Sequence, residues 1–379
     1  MATQLLPQMA ELRRDIHAHP ELGRSEYRTA QTLEQFFAKL NIPTRRVADT
    51  GIEAVLDFGR PGPTVALRAD IDALPITEAT GADFASQTPG VMHACGHDVH
   101  TAAVAGAALL LLQDAQNLSG RIKFLFQPDE EGDGGAQRLV EAGTLDDVDV
   151  IFGAHVNPDL RSGTVGIRYG KFYAASNPFD ITFIGKASHG AEPENGIDAL
   201  SAAAEAEVAF QSLRREMEAR HGRVIISVGS LHAGTARNII ADRAEMHGII
   251  RTLGPEARQE TVAKLEETIR TVAEKYGAEL DVNIAWGYPG IVNHDEPTRL
   301  AEKAAKALLG EDKVIPITQP TMTTEDFGFY LDKVPGCFYH IGVGGSEAIH
   351  SCRFLPQDSA IATAAAMHGA VIKEVLRKQ

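Results

Sequence analysis

Several features are scarce in this chain of 379 residues. It has only three cysteines, an odd number that excludes a fully paired disulfide framework and is typical of a reducing compartment. The longest apolar stretch, 102–112, is about half as long as the roughly 20 residues that a membrane span needs. Residues 1–15 lack the apolar core and the small-residue cleavage site of a secretory signal. We therefore predict a cytoplasmic protein without a membrane segment.

Positive charge is also in short supply. The chain has 36 Lys and Arg against 51 Asp and Glu, which gives a formal net charge of -15 at pH 7. Nucleic acids and anionic membrane surfaces repel such a surface on average, so we expect neither as a partner. Apolar residues, in contrast, make up 44% of the chain, which indicates a globular protein long enough for two domains.

Potential metal ligands are concentrated in one short stretch, Met92–His100. It contains the thiol of Cys95, three imidazoles and the carboxylate of Asp98. Further candidates follow at Glu130, Glu131, His155 and His350. Thiolates, imidazoles and carboxylates bind borderline divalent cations. Of two adjacent glutamates, one can bind metal while the other transfers protons. The pattern indicates a metal-dependent hydrolase.

Each of these residues also has a purely structural interpretation. A lone cysteine such as Cys95 is more often a small buried side chain than a ligand. A pair of glutamates is ordinarily solvated surface, and His155 after an apolar run is compatible with a hydrogen-bonded strand end. The combination of all three favours the metal site. The sequence assigns no definite role to four further histidines, His93, His100, His232 and His340.

The spacing of apolar residues predicts alternating helices and strands in the first half of the chain. Helices are expected at 25–40 and 98–115, and strands at 53–58, 64–68, 121–127 and 148–154. This alternation favours a mainly parallel sheet flanked by helices. Candidate ligands follow three of the strands, namely Asp70 and Asp72, Glu130 and Glu131, and His155. Because ligands usually bind at the carboxyl ends of such strands, we expect these side chains to converge.

The predicted pattern changes at about residue 176. Strands are expected at 177–185, 223–228, 243–253 and 280–286, with helices at 198–220 and 255–276. The resulting order, βαββαβ, is that of the ferredoxin-like fold. Helix and strand segments resume after Pro289. We therefore predict a discontinuous catalytic domain, 1–175 and 290–379, with a smaller domain, 176–289, inserted between its halves.

Five stretches of the sequence carry a resemblance to a known family. They are HAHPELG at His17–Gly23, LRADIDALP at Leu67–Pro75, MHACGHDVHT at Met92–Thr101, FQPDEEGDGGA at Phe126–Ala136 and TTEDFGFYLDKVPG at Thr323–Gly336. The chain resembles the M20 metallopeptidase family, and more narrowly its amidohydrolase branch of hippurate hydrolases, auxin-conjugate hydrolases, N-acyl-amino-acid deacylases and N-acetyl-diaminopimelate deacetylases. The resemblance implies an α/β fold: a mainly parallel-sheet dimetal hydrolase domain with an inserted ferredoxin-like α+β domain for dimerisation or as a lid.

The resemblance also implies roles for single residues around two divalent metal ions. Cys95 matches the position that bridges the ions, and the remaining ligands match His97, Glu131, His155 and His350. Glu130 matches the general base, and Asp72 matches the acid behind the ligands, which orients or polarises one of them. The ions implied are manganese or zinc, with manganese slightly preferred and nickel or cobalt also compatible.

In the inserted domain, the resemblance extends to residues that would contact substrate. His189 matches a histidine that reaches the active site of the neighbouring subunit and stabilises the oxyanion, which implies a homodimer. Asn238 and Arg251 match binders of the substrate's α-carboxylate. The sequence departs from the family here, since Ser188–Glu194 reads SHGAEPE where the branch usually shows the pattern GGHAA-P-H.

We therefore predict an enzyme that hydrolyses the amide bond of N-acyl amino acids, in the first place N-acetyl ones. The products are a carboxylic acid and a free amino acid. The alternative within the same superfamily is a dinuclear-metal carboxypeptidase or dipeptidase, and a non-catalytic binding module with the same fold is a third hypothesis. The acyl group and the amino acid stay open, because specificity is a difference between competing substrates that no single motif encodes.

Overall fold

The protein is described here by a computed structural model, which covers residues 2–345 and 347–377. The outermost residues of the predicted catalytic domain, Met1 and Lys378–Gln379, lie outside the described residues. The strands are β1 Thr44–Val47, β2 Gly51–Asp57, β3 Thr64–Asp70, β4 Arg121–Gln127, β5 Val150–Asn157, β6 Val165–Ile167, β7 Gly170–Lys171, β8 Ala175–Ile184, β9 Ile225–Ala233, β10 Arg243–Thr252, β11 Glu279–Ile284, β12 Val292–Asn293, β13 Val314–Pro316 and β14 Gly336–Gly342.

The α-helices are α1 Ala2–Ala18, α2 Tyr27–Lys39, α3 His97–Leu112, α4 Ala136–Glu141, α5 Ala199–His221, α6 Pro255–Tyr276, α7 Asp295–Leu309, α8 Gly328–Leu331 and α9 Ser359–Leu376. Short 3-10 helices lie at Ala115–Asn117, Pro193–Asn195 and Glu311–Lys313. Each helix in the described part of the chain is too short or too polar to cross a bilayer. The chain divides into two compact units, one formed by 1–170, 293–318 and 326–379 and the other by 171–292 and 319–325.

The first unit is built on a large sheet with the strand order β1-β2-β4-β3-β5-β14-β6-β13. Strands β4, β3, β5 and β14 run parallel to one another, whereas β2 pairs antiparallel with β4. The residues of β3 are all buried, as expected for a central parallel strand covered on both faces. Helix α3 is rich in alanine and leucine and is buried along almost its whole length, because it packs against α1, α9 and the sheet.

The second unit is an antiparallel sheet with the strand order β11-β8-β10-β9 and the helices α5 and α6. From Asn177 onward, strand β8 alternates buried residues with exposed or half-buried ones, and its buried side chains Phe179, Ile181 and Phe183 pack against the two helices. The order along the chain is βαββαβ, as predicted. The predicted fold class, α/β with a mainly parallel sheet and an inserted ferredoxin-like α+β unit, is confirmed.

Two features differ from the sequence-based expectation. Helix α1 was not predicted, because its inward face includes the charged Arg13. Its guanidinium is fully buried and donates hydrogen bonds to Asp98 and Asp358, both at 2.8 Å. Strand β5 continues to Asn157, so His155 lies within the strand and not at its end. The domain boundaries 1–175, 176–289 and 290–379 stay a prediction.

Candidate metal centre

The candidate ligands of the first unit lie at one edge of its sheet. Strand β3 ends at Asp70, strand β4 ends shortly before Glu130, and His155 lies near the end of β5. These three strands run parallel, so their carboxyl ends meet at the same edge. The side chains that follow these strands therefore converge, as the strand pattern predicted. They lie at the usual ligand-binding edge of an open α/β sheet.

A sharp turn before α3 positions two of the candidate ligands. Gly96 precedes the helix with φ +89°, a left-handed conformation that glycine adopts at little cost. A Cβ at this position would lie 2.6 Å from Cγ2 of Val156. The turn therefore requires glycine. It places Cys95 just before α3 and His97 at the first residue of the helix, both buried.

The thiol of Cys95 lies at the centre of the cluster. Its Sγ atom is 3.2 Å from Nε2 of His155 and 3.3 Å from Nε2 of His350. Nε2 of His350 is in turn 3.1 Å from a carboxylate oxygen of Glu131. Among the groups of potential ligand atoms that lie within 4.8 Å of one another are Cys95–His97–His155, Cys95–Glu131–His350 and His97–Glu130–Glu131. Cys95 and His97 each belong to two of these groups, so the three groups are contiguous.

Two of the histidines have their Nδ1 hydrogen-bonded to the backbone, so Nε2 is the nitrogen that each directs to the cluster. Nδ1 of His97 lies 2.9 Å from the carbonyl oxygen and 3.1 Å from a carboxylate oxygen of Asp72, so the proton is on Nδ1. Its buried Nε2 has no hydrogen-bond partner among residues 2–345 and 347–377. The Nδ1–H group of His155 donates to the carbonyl oxygen of Val156 at 2.8 Å, which leaves its Nε2 towards Cys95. A sulfur, imidazole nitrogens and carboxylate oxygens of this kind fit divalent zinc or manganese.

The electrostatics of the site favour a bound cation. Burial and the neighbouring carboxylates of Glu131 and Glu130 raise the pKa of the Cys95 thiol well above its usual range. Burial opposes the charged form of His97, but Asp70 and Asp72 outweigh it and raise the pKa of this imidazole to about 10. The cluster thus carries an excess of negative charge that a cation would neutralise. Cation binding at Cys95 would release the thiol proton.

A buried polar network, which the sequence did not reveal, lies behind the cluster. Arg68 in β3 donates to Asp70 through Nη1 and to Asp326 through Nη2, each at 2.8 Å. Its Nε–H donates to Oε1 of Gln127, also at 2.8 Å, and Nε2 of Gln127 donates to Asp326. The signal in the sequence was weak: an arginine inside an otherwise apolar strand. Such a network holds Asp70 in one orientation beside His97.

His100 is part of this support. Its Nδ1 lies 2.6 Å from Asp70, and the backbone N–H of Val156 donates to its Nε2 at 2.9 Å. The second contact uses Nε2 as the acceptor, so Nδ1 is the nitrogen that donates to Asp70. Both nitrogens are therefore engaged, and the ring ties α3 to β5 next to His155. His93, also buried, has no hydrogen-bond partner for either nitrogen within the described residues.

The remaining candidates belong to none of the groups of potential ligand atoms in the described part of the chain. Asn157 donates from Nδ2 to Nδ1 of the buried His340, which pairs with His155 across β14 and β5. In the second unit, the backbone N–H of Ala191 donates to Nδ1 of the exposed His189 at 3.1 Å. Exposed residues also include Asn238 and His232. Arg251, in β10, donates to the carbonyl oxygen of Met322 at 3.3 Å. The roles of His189, Asn238 and Arg251 stay predictions.

Comparison with known proteins gives one family over most of the chain. Residues 66–374 match the family described as peptidase family M20/M25/M40. An N-acetylcysteine deacetylase of Bacillus subtilis is 37% identical, and the match covers 94% of this chain and 93% of that protein. An N-acetyldiaminopimelate deacetylase of Streptococcus sanguinis is 38% identical, with 92% and 94% covered. Thermostable carboxypeptidase 1 of Saccharolobus solfataricus is 34% identical, with 94% and 93% covered.

The fold is shared with solved structures. A protein of Bacillus subtilis described as a dinuclear metal binding peptidase from the M20 family superposes with a TM-score of 0.85. It is 34% identical in sequence, and the superposition covers 98% of this chain and 99% of that one.

Proposed function

Because the chain belongs to peptidase family M20/M25/M40 and is, as predicted, a metal-dependent amidohydrolase, we propose that it hydrolyses N-acyl amino acids. The acyl group leaves as a carboxylic acid and the amino acid is set free. The observation that carries this proposal is the cluster of imidazole nitrogens and carboxylate oxygens around the Cys95 thiol, together with Glu130, which lies within 4.8 Å of ligand atoms of His97 and Glu131. Two of the compared relatives are deacetylases of N-acetylated amino acids, which supports an N-acetyl substrate in the first place.

Two divalent cations would be held by this cluster, with Cys95 shared between them. The remaining ligands would be His97, Glu131, His155 and His350. When bound, the cations lower the pKa of water and polarise the amide carbonyl. The proposed ions are manganese in the first place and zinc in the second. Nickel and cobalt are compatible substitutes, because mixed ligands accept several of these ions.

Glu130 is proposed to move the proton. Its carboxylate lies within 4.8 Å of potential ligand atoms of His97 and Glu131, so it adjoins the place where water would be activated. It would accept a proton from the attacking water and pass it to the departing amine, which must be protonated to leave. Glu130 is buried at 8% exposure, which limits competition from bulk water for this proton.

Asp72 is proposed to fix two neighbours at once. One carboxylate oxygen faces Nδ1 of His97 at 3.1 Å, and the other accepts the backbone N–H of Glu131 at 2.9 Å. Asp72 thereby keeps the imidazole in the tautomer that presents Nε2 to a cation. It also orients the backbone of a second ligand.

The second unit is proposed to complete the site in a homodimer. His189 of a neighbouring subunit would stabilise the oxyanion, while Asn238 and Arg251 would bind the substrate carboxylate. Support comes from large apolar side chains that a single chain leaves exposed on this unit: Leu200, Val208, Leu231, Ile239 and Trp286. A partner subunit would cover such side chains. In this scheme 1–175 and 290–379 are catalytic, and 176–289 dimerises.

A carboxypeptidase or dipeptidase is the second candidate, favoured by the similarity to the Saccharolobus carboxypeptidase. The test is to load the purified protein with manganese or zinc and to follow amine release. The substrates are N-acetyl amino acids, N-benzoyl amino acids and dipeptides. Preference for the acyl amino acids supports the deacylase, preference for the dipeptides supports the peptidase, and no release from any of them overturns both.

A further inference from the structure

The turn that carries Glu130 has an unusual backbone. Asp129, which precedes Glu130, has φ +60°, a left-handed conformation that is unfavourable for a residue with a side chain. Such conformations persist where the surroundings hold them, and they are common at functional sites. The contacts that hold this turn are therefore of interest for the placement of Glu130.

One of these contacts comes from Glu26, just before α2. Its carboxylate is completely buried and accepts the backbone N–H of Asp129 at 2.9 Å. Its other oxygen accepts the hydroxyl of the buried Thr50 at 2.6 Å. Burying a carboxylate is costly, and burial raises the pKa of Glu26 to about 7. Glu26 is thus a buried acid whose carboxylate binds the backbone of a turn that is distant along the chain.

The side chain of Asp129 is held as well. A Cβ at Gly23 or at Gly132 would overlap its carboxylate, so both positions need glycine. Nη2 of Arg138 donates to the same carboxylate at 3.0 Å. Asp129 therefore fits a slot between the segment before α2 and its own turn.

Hydrogen bonds hold the backbone of the turn before and after Glu130. Glu26 holds the backbone N–H of Asp129, and Asp72 holds the backbone N–H of Glu131. Two buried carboxylates thus fix the peptide group between Pro128 and Asp129 and the one between Glu130 and Glu131. Fixing the backbone before and after Glu130 restricts the direction in which its side chain leaves the backbone.

We propose that Glu26 is a positioning residue for Glu130, which it orients through the backbone of Asp129. The inference rests on the role proposed for Glu130. Displacement of a catalytic group by about 1 Å reduces turnover by about 100-fold, and loss of a supporting contact behind a metal site reduces activity by about 10- to 100-fold. Removal of the Glu26 carboxylate therefore reduces kcat by about 10- to 100-fold without removing metal.

The chain offers a matched control at Glu21. This carboxylate also lies before α2 and accepts two backbone N–H groups, those of Arg28 and Thr29, at 3.0 and 2.8 Å. It therefore supports the start of the helix and not the turn. A purely structural role for both acids predicts equal effects of Glu21→Ala and Glu26→Ala.

The experiment compares manganese-loaded wild type with Glu26→Ala, Glu26→Gln, Thr50→Val and Glu21→Ala. Measurements are kcat and KM for the best acyl amino acid, bound manganese, and amide hydrogen exchange of peptides that cover 128–135. Glu26→Ala should lower kcat as stated, leave KM and bound manganese within about twofold, and speed exchange in 128–135. Glu26→Gln should recover most of the loss, because its amide oxygen still accepts the N–H of Asp129. Glu21→Ala should leave kcat of the folded protein within about twofold.

Unchanged kcat and unchanged exchange in Glu26→Ala would overturn the proposal, as would equal losses in Glu21→Ala. If Glu26→Ala does not fold, Thr50→Val decides, because it removes the hydroxyl that holds the other oxygen of Glu26. It should lower kcat and speed exchange in 128–135, and unchanged kcat and exchange in this variant would overturn the proposal. A wild type that releases no amine from any substrate overturns the proposed function, and hydrogen exchange then decides on the contact alone.

Discussion

The two units hold their candidate functional side chains in different ways. In the first unit, Cys95, His97 and His155 are buried, and both histidines have a backbone partner that fixes the tautomer. In the second unit, His189 and Asn238 are exposed. Side chains fixed by their own surroundings are ready for a ligand before it binds, whereas exposed ones take their geometry from what they contact. The first unit thus resembles a prepared site, and the second resembles a surface that awaits a partner.

The largest effect is expected inside the prepared site. Glu130→Gln should reduce kcat by about 10²- to 10⁴-fold, because the amide cannot accept the proton of the attacking water. Bound manganese should stay at the wild-type level, since Glu131 and the other ligands remain. Steady-state kinetics and elemental analysis measure both. Cys95→Ala is the contrasting variant, which should lose metal as well as turnover, and a Glu130→Gln enzyme of near wild-type activity would contradict the assignment.

The next effect tests the second unit. His189→Ala should lower kcat by about 10²- to 10³-fold, the usual loss for one oxyanion donor, with metal content unchanged. If His189 acts in the neighbouring subunit, mixing inactive Glu130→Gln and His189→Ala proteins after subunit exchange should restore activity. Each hybrid dimer then has one site with both residues intact. Absence of any recovery in verified hybrids would place His189 in its own subunit or outside the site.

A smaller effect concerns the support behind the ligands. His100→Phe removes the acceptor for the N–H of Val156 and the contact with Asp70. Manganese affinity should fall by about 10- to 100-fold, as is typical when groups behind metal ligands are lost. Titration calorimetry measures the affinity directly. His232→Phe, at an exposed position of β9, is the matched control and should bind manganese like the wild type.

The last prediction concerns stability and not activity, and it compares the two units. His17 is buried between Asp98 and Glu78, at 2.9 and 3.3 Å. Burial opposes its charge, but Asp98 outweighs it and raises the pKa of His17 to about 9 from 6.5. The stabilisation is therefore complete below pH 6.5 and is lost as pH rises through 9, with a slope of at most about 1.4 kcal/mol per pH unit.

Urea unfolding between pH 6 and 10 measures this slope. His17→Gln should remove it. In the second unit, His247→Gln breaks an exposed pair with Asp180 and should change the unfolding free energy little. A wild type whose stability is constant from pH 6.5 to 9 would contradict the assigned charge of His17.

Local patterns in the sequence predicted several of the elements well. The predicted bounds of β4 and α6 agree with the structure, because each has a clear apolar period and a defined start or end. The candidate ligands were found because Cys95 and His97 are neighbours in one motif. Their proximity to His155 and His350 in the structure agrees with the resemblance to the family.

What the sequence concealed depends on partners that are far apart along the chain. Arg68 is buried because Gln127 and Asp326 meet it from other elements. Arg13 is buried for the same kind of reason, and this charge interrupts the apolar face by which α1 would have been predicted. Glu26 falls inside the predicted helix 25–40, and its contact with Asp129 joins two residues that are far apart along the chain. The apolar period indicates which side of a helix or strand faces the core. It does not indicate which charged side chains will be buried there with a partner of opposite charge.

The position of β14 has a consequence for how the chain is made. This strand, Gly336–Gly342, lies between β5 and β6 in the sheet, and α9 from the same late segment packs against α1 and α3. During synthesis the ribosome therefore releases the residues of β5 long before their neighbour exists. The second unit is nearly continuous along the chain, so nearly all of its residues are made before the last segments of the first unit. The large sheet therefore cannot be completed before β14 has been synthesised. Until then β5 has no neighbouring strand on one side.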